Sequence, residues 1–198
     1  MPGRDVMPTV VAVNRMLVRR PGLAVFVGGL EVYPYGFDFG VTVLRRRAED
    51  EVFDVHRDNP FAAIRGPRPR VGRDRARDEA RLLRFAVEYA DGRRAEATPP
   101  SSAGSRAGSD SGSTAGSGSE PRTDSSTPPG PPVMTPHWTR GAQGVWEQRC
   151  WVWGLPEEGV VTLVYAWPGE GVPESRFEID GDVLREAASR AEVLWPAG

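Results

Sequence analysis

Four tryptophans, Trp138, Trp146, Trp151 and Trp153, fall within residues 138–153 and are the side chains best placed to hold a ligand. Trp151 and Trp153 stand two positions apart, so in an extended chain they point to the same side. Flat indole faces so placed could stack on a sugar ring or a proline-rich peptide with little entropy lost. The competing use of the same rings is core filling, because large aromatics supply much of the buried area of a small β-protein.

Other chemistry-bearing groups are sparse. Asp54, His56 and Asp58 share a face if their segment is extended, and Glu49, Asp50 and Glu51 lie close by. Carboxylates with one imidazole could hold a divalent cation, but no second cluster completes the shell, so a solvated connection is the favoured reading. Residues 65–84, which begin with Arg65 and end with Arg84, alternate Arg with Gly, Pro and Val before Asp74, Asp78 and Glu79 dilute the charge. Such a stretch could touch phosphates with a salt-sensitive affinity. A net charge of -2 argues against a nucleic-acid-coating protein, so this contact is disfavoured.

Nucleophilic catalysis has little to work with. The chain holds only His56 and His137, and it contains neither a Gly-x-Ser-x-Gly elbow nor a phosphate-binding loop with Lys. Cys150, the only cysteine, sits between Trp146 and Trp151 in a strand-like run and reads as a buried, inert thiol. No catalytic, metal or cofactor-binding residue is assigned, and an enzymatic role is not expected.

Composition narrows the setting. All 25 basic residues are Arg, alongside abundant Ala, Gly, Val and Pro, which is the mark of a GC-rich genome more than of a phosphate-binding chemistry. A single cysteine allows no intramolecular disulfide. The apolar run at residues 23–30 is too short for a membrane span and has strand-like Val and Phe content. A cytoplasmic protein without membrane contact is therefore the expectation.

The elements that must position these groups show the period-two pattern of strands. Phe37, Phe39, Val41 and Val43 fall on one face, with Asp38, Gly40 and Thr42 on the other. Tyr33-Pro34-Tyr35-Gly36 forms a tight turn that makes residues 23–32 its hairpin partner. Leu83, Phe85, Val87 and Tyr89 repeat the alternation before the hairpin signal Asp91-Gly92. Residues 146–153 and 160–167 predict two further strands joined through Pro156-Glu157-Glu158-Gly159, the second apolar on both faces as in a sheet interior. Phe177 and Ile179 face inward in a last short strand. A helix is predicted over residues 182–194, with Asp182 as N-cap, Leu184, Ala187, Ala188, Ala191 and Trp195 along one stripe, and Pro196 as the stop.

Between these elements, residues 95–132 are almost entirely Ser, Gly, Pro, Ala and Thr, with no aromatic, Leu, Ile or Val. Such a segment cannot bury enough apolar surface to offset the entropy of ordering, and it predicts a disordered insertion. Each flank looks too small to cover its own sheet face, so residues 1–198 are expected to share one domain. The prediction is an all-β, antiparallel sandwich of roughly seven to eight strands with one C-terminal helix.

Trp151-Val152-Trp153-Gly154-Leu155-Pro156, Tyr165-Ala166-Trp167-Pro168, Glu178-Ile179-Asp180-Gly181, Leu184-Arg185-Glu186-Ala187-Ala188 and the closing Leu194-Trp195-Pro196 together resemble a family of small proteins common in high-GC Gram-positive bacteria. The resemblance covers the C-terminal third well and the first strands more loosely. It transfers no functional residue; it implies that both sides of the polar segment belong to one protein. The scaffold is thus better specified than any chemistry. It points to a protein-binding or regulatory module that presents a sheet face or edge to a protein partner or a second copy. Carbohydrate binding through the tryptophans and nucleic-acid contact through residues 65–84 are the alternatives.

Overall fold

The computed structural model describes residues 5–46, 59–61, 80–96 and 132–195. Eleven strands appear in chain order: β1 (Val6–Met7), β2 (Thr9–Arg20), β3 (Leu23–Tyr33), β4 (Gly36–Arg45), β5 (Arg84–Tyr89), β6 (Arg94–Glu96), β7 (Val133–Ala142), β8 (Val145–Trp153), β9 (Val160–Trp167), β10 (Val172–Asp180) and β11 (Glu192–Val193). One helix, α1 (Gly181–Ser189), follows β10, and a 3₁₀ turn at Pro168–Glu170 links β9 to β10.

The strands form two antiparallel sheets facing each other across a common interior. Five strands pair in the order β2-β3-β4-β8-β7 and four in the order β10-β9-β5-β6; β1 and β11 make a separate short ribbon. Strands from before and after residues 97–131 are direct neighbours in both sheets, since β4 pairs with β8 and β5 with β9. The described residues form an all-β sandwich with one helix, α1, near the C-terminal end of the sequence.

Alternation decides which face goes inward. Val25, Val27, Phe37, Phe39, Val41 and Val43 from the larger sheet meet Phe85, Val87, Val161, Leu163 and Phe177 from the smaller one in a single apolar cluster. Burying each such side chain stabilises the fold by about 1.5–3 kcal/mol. β9 lies between β10 and β5, which accounts for its apolar residues on both faces, and Trp167 at its end is 3% exposed. Trp167 donates its indole N–H to Arg81 O at 2.9 Å, so its one polar atom is satisfied.

The structure departs from the sequence-based expectations at three places. Two long strands, β2 and β7, and the short pair β1 and β11 were not anticipated. β2 carries two register shifts against β3 and has Asn14 at φ 46, which blurs its alternation; β7 has a register shift against β8. The helix begins earlier and ends earlier than predicted. Asp180, not Asp182, is the N-cap, its carboxylate accepting from Asp182 N at 2.8 Å, and the helix stops at Ser189 because Glu192–Val193 pairs with Val6–Met7. Leu184, Ala187 and Ala188 are buried as the stripe requires, but Leu194 and Trp195 are 44% and 70% exposed. The predicted disordered segment also loses its edges: Ala95 and Glu96 belong to β6, with Ala95 buried, and Pro132 is described too. The remainder, residues 97–131, lies outside the described residues.

Candidate functional site on the outer face of the larger sheet

The face of the five-stranded sheet that points away from the core carries the least ordinary chemistry in the molecule. On β4 this face reads Gly36, Asp38, Gly40, Thr42 and Leu44, the complement of the inward Phe and Val row. The two glycines make room for side chains from β8. A Cβ on Gly36 would stand 2.2 Å from Val152 O and 2.8 Å from the Trp151 ring, and one on Gly40 would stand 3.3 Å from Arg149 Cδ. Trp151 and Arg149 therefore lie down across β4, on either side of Asp38.

That covering explains how Asp38 comes to be only 2% exposed on an outward face. Arg149 Nε approaches Asp38 Oδ1 to 2.6 Å, and its terminal nitrogen reaches Glu31 Oε1 on β3 at 2.8 Å. From β7, His137 Nε2 contacts Asp38 Oδ2. Burial pushes the Asp38 carboxyl up from its ordinary value, while Arg149 and His137 pull it back in part and Glu31 adds to the rise. Tyr33, whose hydroxyl donates to Glu31 Oε2 at 3.4 Å, is pushed up to about 12, chiefly by burial and then by the Glu31 and Asp38 charges.

A bulge puts His137 there. The register of β7 against β8 shifts between Pro136 and Trp138, so His137 reaches Asp38 and the next residue, Trp138, pairs opposite Arg149. Buried Gln148 holds the bulge from the core side: its amide donates to Trp138 O at 3.0 Å and to Arg149 O at 2.8 Å, and its carbonyl accepts from Thr139. Without those bonds the irregular backbone would leave polar groups unpaired.

Aromatic rings flank the ion cluster. Tyr33 and Tyr35 meet Trp151 edge-on at 5.4 and 6.1 Å between centroids, and Tyr35 continues to Trp153 at 5.2 Å. Trp151 is buried under this cover, whereas Trp153 is 47% exposed beside its cross-strand partner Val133. Trp138 is 44% exposed, with the Arg140 guanidinium 5.1 Å over its ring. Trp146 is buried on the opposite, core-facing side of β8. Of the four predicted tryptophans the structure thus brings Trp138, Trp151 and Trp153 to one face, and two of these reach solvent.

An imidazole against a carboxylate could orient a general base, but a base needs a hydroxyl or thiol beside it to act in nucleophilic catalysis. Cys150 is on the core side of β8, paired opposite Phe39, and burial pushes its thiol up to about 12. Among the described residues no group of three or more His, Cys, Asp or Glu side chains is arranged to hold a metal ion. The Asp54, His56 and Asp58 cluster and most of residues 65–84 lie outside the described residues; of that Arg-rich stretch, Arg81 and Arg84 are placed, both exposed. What the arrangement does chemically is fix a platform, since the ion cluster around buried Asp38 ties four strands, β3, β4, β7 and β8, together on the face that carries the exposed indoles.

The sequence reading missed Glu31, Asp38, His137 and Arg149. A signal was available: in Gly36-Phe37-Asp38-Phe39-Gly40 a carboxylate stands between two glycines on the nominally solvated face, where side chains from a neighbour can close over it.

The charged face of the other sheet is its opposite in kind. Glu88, Arg94, Glu96, Glu174 and Arg176 form a lattice of exposed ion pairs there. By strand register, Val10, Met16, Leu44, Val133, Trp138, Val145 and Trp153, seven of the twelve exposed large hydrophobic residues among those described, belong to the outer face of the larger sheet. The remaining five, Met7, Val183, Val193, Leu194 and Trp195, lie on α1, the β1–β11 ribbon and the residues after it. No helix among the described residues is long and apolar enough to cross a membrane. Comparison of the chain with family models, with curated proteins and with solved structures finds no match.

Proposed function

We propose that the protein is a non-catalytic interaction module that docks through the outer face of the five-stranded sheet, and that the partner it fits is a second copy of the chain. The observation carrying this reading is the concentration of exposed apolar side chains on that one face, while the strands of the other sheet carry ion pairs and no exposed large hydrophobic side chain among the described residues. Monomeric proteins rarely leave such a patch uncovered.

Dimensions and charge favour a copy as occupant. Five strands at about 4.8 Å spacing and nine residues at about 3.3 Å rise give a face of roughly 700 Å², close to the roughly 800 Å² per partner of a stable interface. Glu31, Asp38 and Glu147 are offset there by Arg140 and Arg149, so two such faces meet without strong like-charge repulsion. Sheets stack face to face at about 10 Å, and exposed Trp153 and Trp138 supply the aromatic anchors that dominate such contacts.

Sedimentation equilibrium across the micromolar range tests the reading. The intact protein is expected to dimerise, and a Trp153→Arg/Val145→Glu double variant that keeps its melting temperature is expected to stay monomeric. A monomer at all concentrations for the unaltered chain would sink the proposal. Trp138 and Trp153 are also both exposed on one face, which is one of the features a carbohydrate platform requires. Glycan-array binding by a chain that never dimerises would favour that reading instead.

A further inference from the structure

A second surface lies at one end of the sandwich, where it borders the outer face of the larger sheet. The antiparallel registers bring the end of β2, the end of β4, the start of β5 and the turn after β9 together. The junction is direct: Arg20 donates to Glu170 O and to Gly171 O, the latter at 3.0 Å, and Arg45 pairs with Glu170. The Arg45 guanidinium also lies 5.9 Å over the buried Trp167 ring. These two arginines tie the sheets to each other.

Four more arginines surround that tie, and among the described residues no carboxylate pairs with them. Arg19 on β2, Arg46 after β4, Arg81 before β5 and Arg84 at its start are all exposed, and none has a side-chain partner among the described residues. Glu170, the carboxylate at this junction, is held by Arg45. The opposite end of the sandwich has the reverse sign: Asp91, Glu157, Glu158, Asp180 and Asp182 gather around the β5–β6 turn, the β8–β9 turn and the start of α1. Arg93 and Arg185 there are engaged by Asp91, Glu157 and Asp182.

Genomic preference for Arg over Lys explains why the basic residues are arginine; it cannot explain why they are unpaired at one end and paired at the other. Residues 47–79 contain eight Arg and eight Asp or Glu, so in sum they carry no net charge. Among the described residues the two ends of the sandwich thus differ in the sign of their exposed charge, although the net charge of the chain is only -2.

We infer that this arginine-rich end binds the phosphate backbone of a nucleic-acid duplex without reading its sequence. Guanidinium groups present forked donors suited to phosphate oxygens and are more weakly hydrated than ammonium groups. By register Arg19 stands in one row with Ala24 and Leu44 on the outer side of the five-stranded sheet and Arg84 stands on the outer side of the other, so with Arg46 and Arg81 the charges straddle this end and span more than one phosphate. The three exposed tryptophans, Trp138, Trp153 and Trp195, all lie away from this end, which leaves no stacking platform for unpaired bases. Contacts of this kind position a protein on a duplex and carry no base information.

Fluorescence anisotropy with the full chain and a short mixed-sequence DNA duplex tests the inference. About four phosphate contacts predict that affinity falls roughly a hundredfold between about 50 and 200 mM salt. The variant Arg19→Gln/Arg46→Gln/Arg81→Gln/Arg84→Gln, with its melting temperature confirmed, should lose most of that affinity and flatten the salt dependence, whereas Arg190→Gln on α1 should change neither. Absence of binding at low salt overturns the inference, as does equal binding by the quadruple variant. Binding to vesicles rich in anionic lipid but not to the duplex overturns it as well. Dimerisation through the sheet face is read separately by sedimentation, so either result can fail without the other.

Discussion

Arg149 Nε stands 2.6 Å from Asp38 Oδ1 on a sheet face that points away from the core, yet the carboxylate is only 2% exposed. Removing the cation would leave a buried charge uncompensated, which costs about 3–5 kcal/mol. Arg149→Ala should therefore lower stability by that order in chemical denaturation. Asp38→Asn should be milder, because the neutral amide still fits beneath Trp151 and accepts from His137 or Arg149. Equal small effects from both would mean that the cluster is solvated.

Titration of Asp38 gives the expected pH dependence its sign. Its carboxyl is raised in the fold, mainly by burial. A raised group contributes stability that is complete below its unfolded value and lost as pH climbs through the folded one. Asp38→Asn removes that dependence, so the stability of the variant relative to the unaltered chain should rise from acid pH upward and level off above the folded pKa. Denaturation midpoints collected across the acid to neutral range would show this, and a difference falling with pH would contradict the assignment.

Trp167 and Trp195 provide a matched pair. Trp167 is 3% exposed in an interior strand and Trp195 is 70% exposed after β11. Trp167→Ala should cost about 3–5 kcal/mol, whereas Trp195→Ala should stay within about 0.5 kcal/mol. Urea midpoints of the two variants compare them directly.

Gly36 is required for contact rather than for backbone freedom. An added Cβ would stand 2.2 Å from Val152 O on the paired strand, and backbone cannot yield as a flexible side chain does. Gly36→Ala should destabilise by about 1–3 kcal/mol or more through overpacking and should expose Trp151. A red shift in tryptophan fluorescence reports the second effect. Gly92, at φ 84 with open space around its α-carbon, should instead lose stability through backbone strain, without that spectral change.

Cys150 is expected to be unreactive in the native protein. It is fully buried, and burial pushes its thiol up to about 12, so almost no thiolate exists at neutral pH. Alkylation followed by mass spectrometry should label it only as fast as the chain unfolds.

Strand alternation alone determined the all-β class, the inward row of Phe37, Phe39, Val41 and Val43, the interior placement of residues 160–167 and the inward Phe177 and Ile179, because each depends on side chains one or two positions apart. Tertiary structure decided what depends on distant partners. The helix ended at Ser189 because β11 was drawn to β1, an encounter that local periodicity does not encode. β2 and β7 escaped notice because bulges shift the phase of their alternation. Asp38 read as a solvated residue because nothing local reveals that Trp151 and Arg149, more than a hundred positions away, fold down over the flanking glycines. The arginine-rich end likewise exists only because antiparallel registers gather four separate chain segments, placing charges that the composition could count but not locate.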